Sequence, residues 1–185
     1  MRRGLAIAAL VFPWAVASAQ GIHYVQYFDT QALRYSAQGE VTACGARFLG
    51  VSENLSEAID ASVNVRKSER GYFGVIKFIS SDVTLTDGAP KLSSARLRSA
   101  WIRAKEGSPV RFPNDPLRGD DGASILYSVS PDDAAALLLA VVKRESFFIA
   151  VKRESASAES VYSGPIKMTE RDADEIAHCV RELMP

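Results

Sequence analysis

Histidine and cysteine are scarce in this chain, with two of each among 185 residues. Zinc needs three or four such side chains converging at set spacings, whereas Cys44, Cys179, His23 and His178 are scattered. A serine–histidine triad would have to use His178, in a charged stretch near the chain end, or His23, in a segment expected at an exposed edge. No Gly-x-Ser-x-Gly elbow, hydrolase-type Ser-x-x-Lys or Cys-x-x-Cys is present, so the common nucleophile and redox motifs are missing. An excess of either charge is lacking too, with 22 basic and 22 acidic residues. That balance argues against nucleic acid as a partner, because phosphate binding rests on a concentrated basic surface. It also gives no polybasic reason to lie on an anionic membrane. The residues imply no cofactor.

What is present begins at the first residue. Met1-Arg2-Arg3 precedes an uncharged apolar run over residues 5–17, and Ala17-Ser18-Ala19 stands before Gln20. Positive start, short apolar core and small residues at a cleavage site make a secretory signal. The run is shorter than the roughly 20 residues a spanning helix needs and contains Pro13. The expected organisation is therefore a signal peptide over residues 1–19 and one globular domain over 20–185, exported to the periplasm or beyond, with no transmembrane segment after cleavage. In that oxidising setting an even cysteine count favours pairing, and Cys44 with Cys179 is the one intramolecular possibility.

Strands are expected over residues 22–28, 41–51 (with glycines suggesting a bulge), 59–66, 72–79, 96–104, 125–129, 147–152 and 160–168. The clearest is the third, where Ile59, Ala61, Val63 and Val65 alternate with Asp60, Ser62, Asn64 and Arg66. In the 96–104 strand, Leu97 and Trp101 are expected on one face, with Arg98, Ala100 and Ile102 on the other. Aromatics near the start (Tyr24, Tyr27, Phe28, Tyr35) suit core and cross-strand pairs.

Two helices carry explicit start signals. Ser130-Pro131-Asp132-Asp133 offers an N-cap, a proline at the first helical position and two acids at the positive dipole end. The nine apolar residues after it are too few to cross a membrane. Thr169 with Asp172 opens the last helix, on which Ala173, Ile176, Ala177, Val180, Leu183 and Met184 form a stripe, with Cys179 at its margin. The class is α+β: a mainly antiparallel sheet of about six to eight strands, two helices packed on it, and the C-terminal order β-α-β-β-α. Val-Lys-Arg-Glu-Ser occurs at Val142 and again at Val151, once at a helix end and once at a strand end, which reads as coincidence.

The helix after Ser-Pro-Asp-Asp, the strand Phe147-Phe148-Ile149-Ala150-Val151 and the cysteine-bearing helix after a Gly-Pro strand resemble small exported bacterial proteins of the invasion-associated locus B type. The resemblance covers about the last sixty residues. It implies a periplasmic, non-enzymatic, β-rich domain with a terminal disulfide, and carries over no site residues.

The longest irregular stretch, residues 107–123, holds the interaction candidates Arg111, Asp115, Arg118, Asp120 and Asp121. Their spacing does not match a calcium-binding EF-hand, and the arginines sit amid the carboxylates. Asn54-Leu55-Ser56 fits the N-glycosylation pattern, which is irrelevant behind a short, alanine-rich leader of bacterial type. The leading expectation is an exported soluble domain without catalytic activity that binds an envelope protein or a small ligand. The alternative is a small envelope hydrolase using the 107–123 carboxylates.

Overall fold

In a computed structural model, the described residues form twelve strands and two helices. The structure describes residues 21–184 apart from Asp87, Ser108, Arg111 and Pro113, and of Ile22 only the backbone. The signal peptide expected over residues 1–19 lies outside the described residues.

The elements run β1 (Gly21–Tyr24), β2 (Phe28–Ala37), β3 (Glu40–Val51), β4 (Glu57–Ser68), β5 (Gly71–Thr86), β6 (Ala89–Ala95), β7 (Leu97–Ala104), β8 (Leu117–Arg118), β9 (Ile125–Val129), α1 (Pro131–Val142), β10 (Phe147–Arg153), β11 (Ser160–Gly164), β12 (Ile166–Lys167) and α2 (Glu170–Leu183). The class is α+β as expected. The strands form two sheets, a smaller one in the order β1-β11-β10-β7 and a larger one in the order β12-β2-β3-β4-β5-β9-β8, with β6 also on β5. All pairs are antiparallel except β1 with β11 and β12 with β2.

The strand count exceeds the expected one because β2, β6 and β8 form in segments not expected as strands, and because the chain turns corners between sheets. Residues 160–168 break at Pro165, whose missing N–H ends one ladder, and the next two residues join the other sheet. The 22–28 segment breaks the same way at residues 25–27. These two corners run side by side, tied by Val25 N–H to Ser163 O (3.1 Å) and Phe28 N–H to Pro165 O (2.8 Å). Gly164 lets them touch, since a Cβ there would stand 2.7 Å from Val25 O. Strand β6 passes into β7 at Arg96 in a third corner.

The alternation in β4 holds: Ile59, Ala61, Val63 and Val65 are buried, facing Cys44, Ala46 and Phe48 of β3 and Ile76 and Phe78 of β5. The expected bulge in β3 falls at Thr42 rather than at a glycine, because pairing slips where Ala43 meets Tyr35 and Val41 meets Ser36. A second slip leaves Arg98 extra opposite Lys152 and Arg153. It turns Leu97 into the core beside Ala100 and Ile102, correcting the expected pairing of Leu97 with Trp101.

Helix α1 packs on β4 and β5, and α2 on β2 and β3. Both caps form as expected, with Ser130 Oγ accepting from Asp133 N–H and Thr169 Oγ1 from Asp172 N–H. Cys179 is wholly buried within the α2 stripe, not at its margin, because it is bonded to Cys44 across 135 residues. No helix among the described residues is long and apolar enough to cross a membrane.

Reduction, or Cys44→Ala, is expected to lower the melting temperature by roughly 10 °C, as loss of a long-loop disulfide costs about 2–5 kcal/mol. Calorimetry with and without reductant checks this. Gly164→Ala is expected to destabilise by about 1–3 kcal/mol through overpacking at the double corner, read from urea unfolding.

Candidate functional site

Where the smaller sheet meets the end of the larger one, polar side chains from five strands converge. Glu57 opens β4 and is its hub. Tyr162 of β11 donates its hydroxyl to Glu57 Oε2 at 2.8 Å, and Arg153 Nη2 of β10 lies 3.4 Å from Oε1. His23 Nε2 of β1 stands 3.5 Å from Oε2, and its ring stacks on Tyr162 with centroids 5.4 Å apart. Arg153 also donates to Ser80 Oγ (2.9 Å) and to Asp82 of β5. Burial works against the charge on Arg153, but Asp82 and Glu57 outweigh it and hold the guanidinium protonated. Burial, followed by the bond to Glu57, pushes the Tyr162 hydroxyl well above the ordinary tyrosine range. Every member is partnered within the cluster, so the arrangement pins two sheets together. His23, read from sequence as exposed, is half-buried here.

Beside this pin the chain presents a groove of about 630 Å³, lined by Tyr27, Leu49, Val51, Leu55, Asp29, Glu53 and Lys167 among others. Leu49 and Val51 follow Arg47 along the outer face of β3, where alternation with a buried core calls for polar residues. They are 40% and 38% exposed. Lys167 Nζ sits 4.1 Å from the Tyr27 ring centroid at one wall. A smaller hollow with His23, Tyr24 and Asn54 adjoins it through Ser52 and Glu53.

The wall between them is the turn over residues 52–56. Asn54 Oδ1 accepts from Ser52 Oγ (2.7 Å), Ser56 Oγ (2.8 Å) and Ser56 N–H (3.2 Å). Glu57 N–H donates to Ser52 Oγ at 3.0 Å, and Ser52 N–H to Glu57 O at 2.9 Å. Held this way, Leu55 has φ of 55° and is 58% exposed. A left-handed leucine costs of order 1–3 kcal/mol and persists only where its surroundings over-determine it. The Asn-Leu-Ser triplet thus spends its polar atoms locally, on displaying a leucine.

The sequence-derived candidates do not gather in one place. Arg111 lies outside the described residues. Asp115 and Asp120 are exposed, and Arg118 pairs with Glu154 and donates to Leu97 O at 3.3 Å. Asp121 accepts from Ser124 N–H and Oγ and from Ala123 N–H, bonds that hold its carboxyl below the usual carboxylate range. None of these four lines the groove at Leu55. Their loop is anchored by Phe112, stacked on Tyr127 at 3.7 Å, and by β8 paired to β9. Among the described residues no group of three or more His, Cys, Asp or Glu could hold a metal ion. A further hollow, lined by Ala104, Gly107, Val110, Asp133, Leu137 and Ala140 among others, lies between α1 and the end of β7.

The fold and site thus define a two-sheet α+β structure with one buried disulfide and a surface groove lined by both apolar and polar side chains. Comparison with protein-family models, curated proteins and solved structures finds no match for this chain.

Because the Tyr162 pKa is raised in the folded state, the unfolded chain loses that proton first. Stability is complete below about pH 10, the ordinary tyrosine value, and declines as pH rises beyond it. Tyr162→Phe is expected to flatten that alkaline decline while costing about 1.5–3 kcal/mol at neutral pH, through the lost bond to a carboxylate. Urea melts of both proteins between neutral pH and pH 11 measure the two effects separately.

Proposed function

We propose that this chain is an exported binding domain without catalytic activity, and that it takes up an apolar segment of an envelope protein on the groove around Leu55. The observation that carries the reading is Leu55 itself: a strained, solvent-facing leucine held by Ser52, Asn54 and Ser56 next to Leu49 and Val51. Strain of that kind has no use in packing, since the side chain is mostly exposed. The groove sets the apolar Tyr27, Leu49, Val51 and Leu55 beside the charged Asp29, Glu53 and Lys167, giving apolar contact together with groups that can orient a partner. Backbone strain stored at an exposed site supports recognition over stability.

Export rests on the leader over residues 1–19 together with the Cys44–Cys179 bond, which needs an oxidising compartment to persist. Mass analysis of the protein from a periplasmic extract is expected to find Gln20 at its start; intact Met1 on soluble cytosolic protein overturns this part.

Binding is tested with Leu55→Gly and Leu49→Asp. Glycine adopts a positive φ freely, so Leu55→Gly is expected to raise stability by about 1 kcal/mol while abolishing capture of the envelope protein retained by the wild type. Leu49→Asp is expected to lose the same protein. Identical captured proteins for all three overturn the groove as the binding surface.

A further inference from the structure

The β5–β6 hairpin leaves one long strand edge without a partner among the described residues. Every residue of β6 but Ala95 is exposed, and β6 pairs with β5 alone. Which of its backbone groups face outward follows from the ladder. Val83 N–H donates to Ser56 O at 2.9 Å, on the side of β5 away from β6. Its cross-strand partner Leu92 therefore sits in a non-hydrogen-bonded pair, with its own N–H and C=O aimed out of the sheet. By the same alternation Pro90 C=O and both Ser94 groups point outward, and Pro90 has no N–H to offer. On one face of the hairpin lie Val83, Leu85, Pro90 and Leu92, of which Leu85 is 68% and Leu92 59% exposed.

We infer that β6 is a self-association edge, at which two copies of this chain pair their β6 strands antiparallel about a two-fold axis through Leu92. In that register each Leu92 exchanges two hydrogen bonds with its counterpart, and each Ser94 N–H reaches the other copy's Pro90 C=O. Because Pro90 has no N–H, each 90/94 pair makes one bond instead of two, so the ladder closes with four hydrogen bonds around Leu92. Leucine lies opposite leucine on the apolar face, and Lys91 lies opposite Ser93 rather than another lysine. The other edge of β6 is already held by β5, so the assembly closes at two copies and does not propagate. Unlike the groove at Leu55, this surface needs no foreign partner.

Sedimentation over a wide concentration range tests it. The wild type is expected to move from monomer to dimer as concentration rises. Ser94→Pro removes an outward N–H and spares the backbone ladder to β5, losing there only the hydroxyl contact with Ser81, so it is expected to weaken association roughly thirtyfold by deleting two symmetry-related bonds. Leu92→Lys puts like charges face to face and is expected to abolish association. Leu49→Asp, in the groove, is expected to leave it unchanged, which separates this surface from the binding groove. A wild type that stays monomeric at its highest soluble concentration overturns the inference, as does a dimer that survives both β6 substitutions.

Discussion

The apolar face made by Cys44, Ala46, Phe48, Ile59, Ala61, Val63, Val65, Ile76 and Phe78 is too long for one layer to cover. Strand β4 has 12 residues, roughly 40 Å at the usual rise, whereas the 12 residues of α1 span roughly 18 Å. The helices cover the end near Cys44 and Gly74, where a Cβ on Gly74 would come within 2.7 Å of Ala134 Cβ. The smaller sheet covers the end near Phe48, whose ring lies 5.3 Å from that of Phe147. Each half-cover is fastened separately. The Cys44–Cys179 bond holds the helical half, and the Glu57–Tyr162–Arg153 pin holds the sheet half. Tyr127 joins the two inside, its hydroxyl oxygen accepting from Ala100 N–H at 3.1 Å.

Much of this plan could be read from residues and some could not, for identifiable reasons. The period-2 run at Ile59–Val65, the caps at Ser130 and Thr169 and the single cysteine pairing are local or arithmetic features, and each stands in the structure. Strand β2 escaped because its outer half is exposed on both sides and carries no alternation. Strand β6 escaped for the same reason. Of the corners only the bend at Gly164–Pro165 was visible in the sequence. That each leads into a different sheet depends on which partners wait there, which no local pattern encodes. The pin draws on β1, β4, β5, β10 and β11, so no spacing links its members.

The repeated Val-Lys-Arg-Glu-Ser shows how completely surroundings decide. In the first copy Arg144 has φ of 57°, just past α1, and its guanidinium reaches Glu170 of α2 at 2.6 Å on the surface. In the second, Arg153 ends β10 with its side chain 11% exposed, between Glu57, Ser80 and Asp82. One arginine is a surface contact near a helix end. The other is a charge enclosed between two sheets, where removing its partners would leave it desolvated.

The same geometry explains why the proposed recognition surface sits beside the pin. Glu57 is fixed on its side-chain end by Tyr162 and Arg153, and on its backbone by two hydrogen bonds with Ser52. The 52–56 turn therefore springs from one of the most constrained residues in the molecule. A leucine can be held in a left-handed conformation only if the turn cannot relax, and here relaxation would require breaking the bonds of Asn54 and Ser52 together. Polar closure of the two sheets thus supplies the rigidity that the proposed apolar contact needs, with Glu57 as its structural anchor.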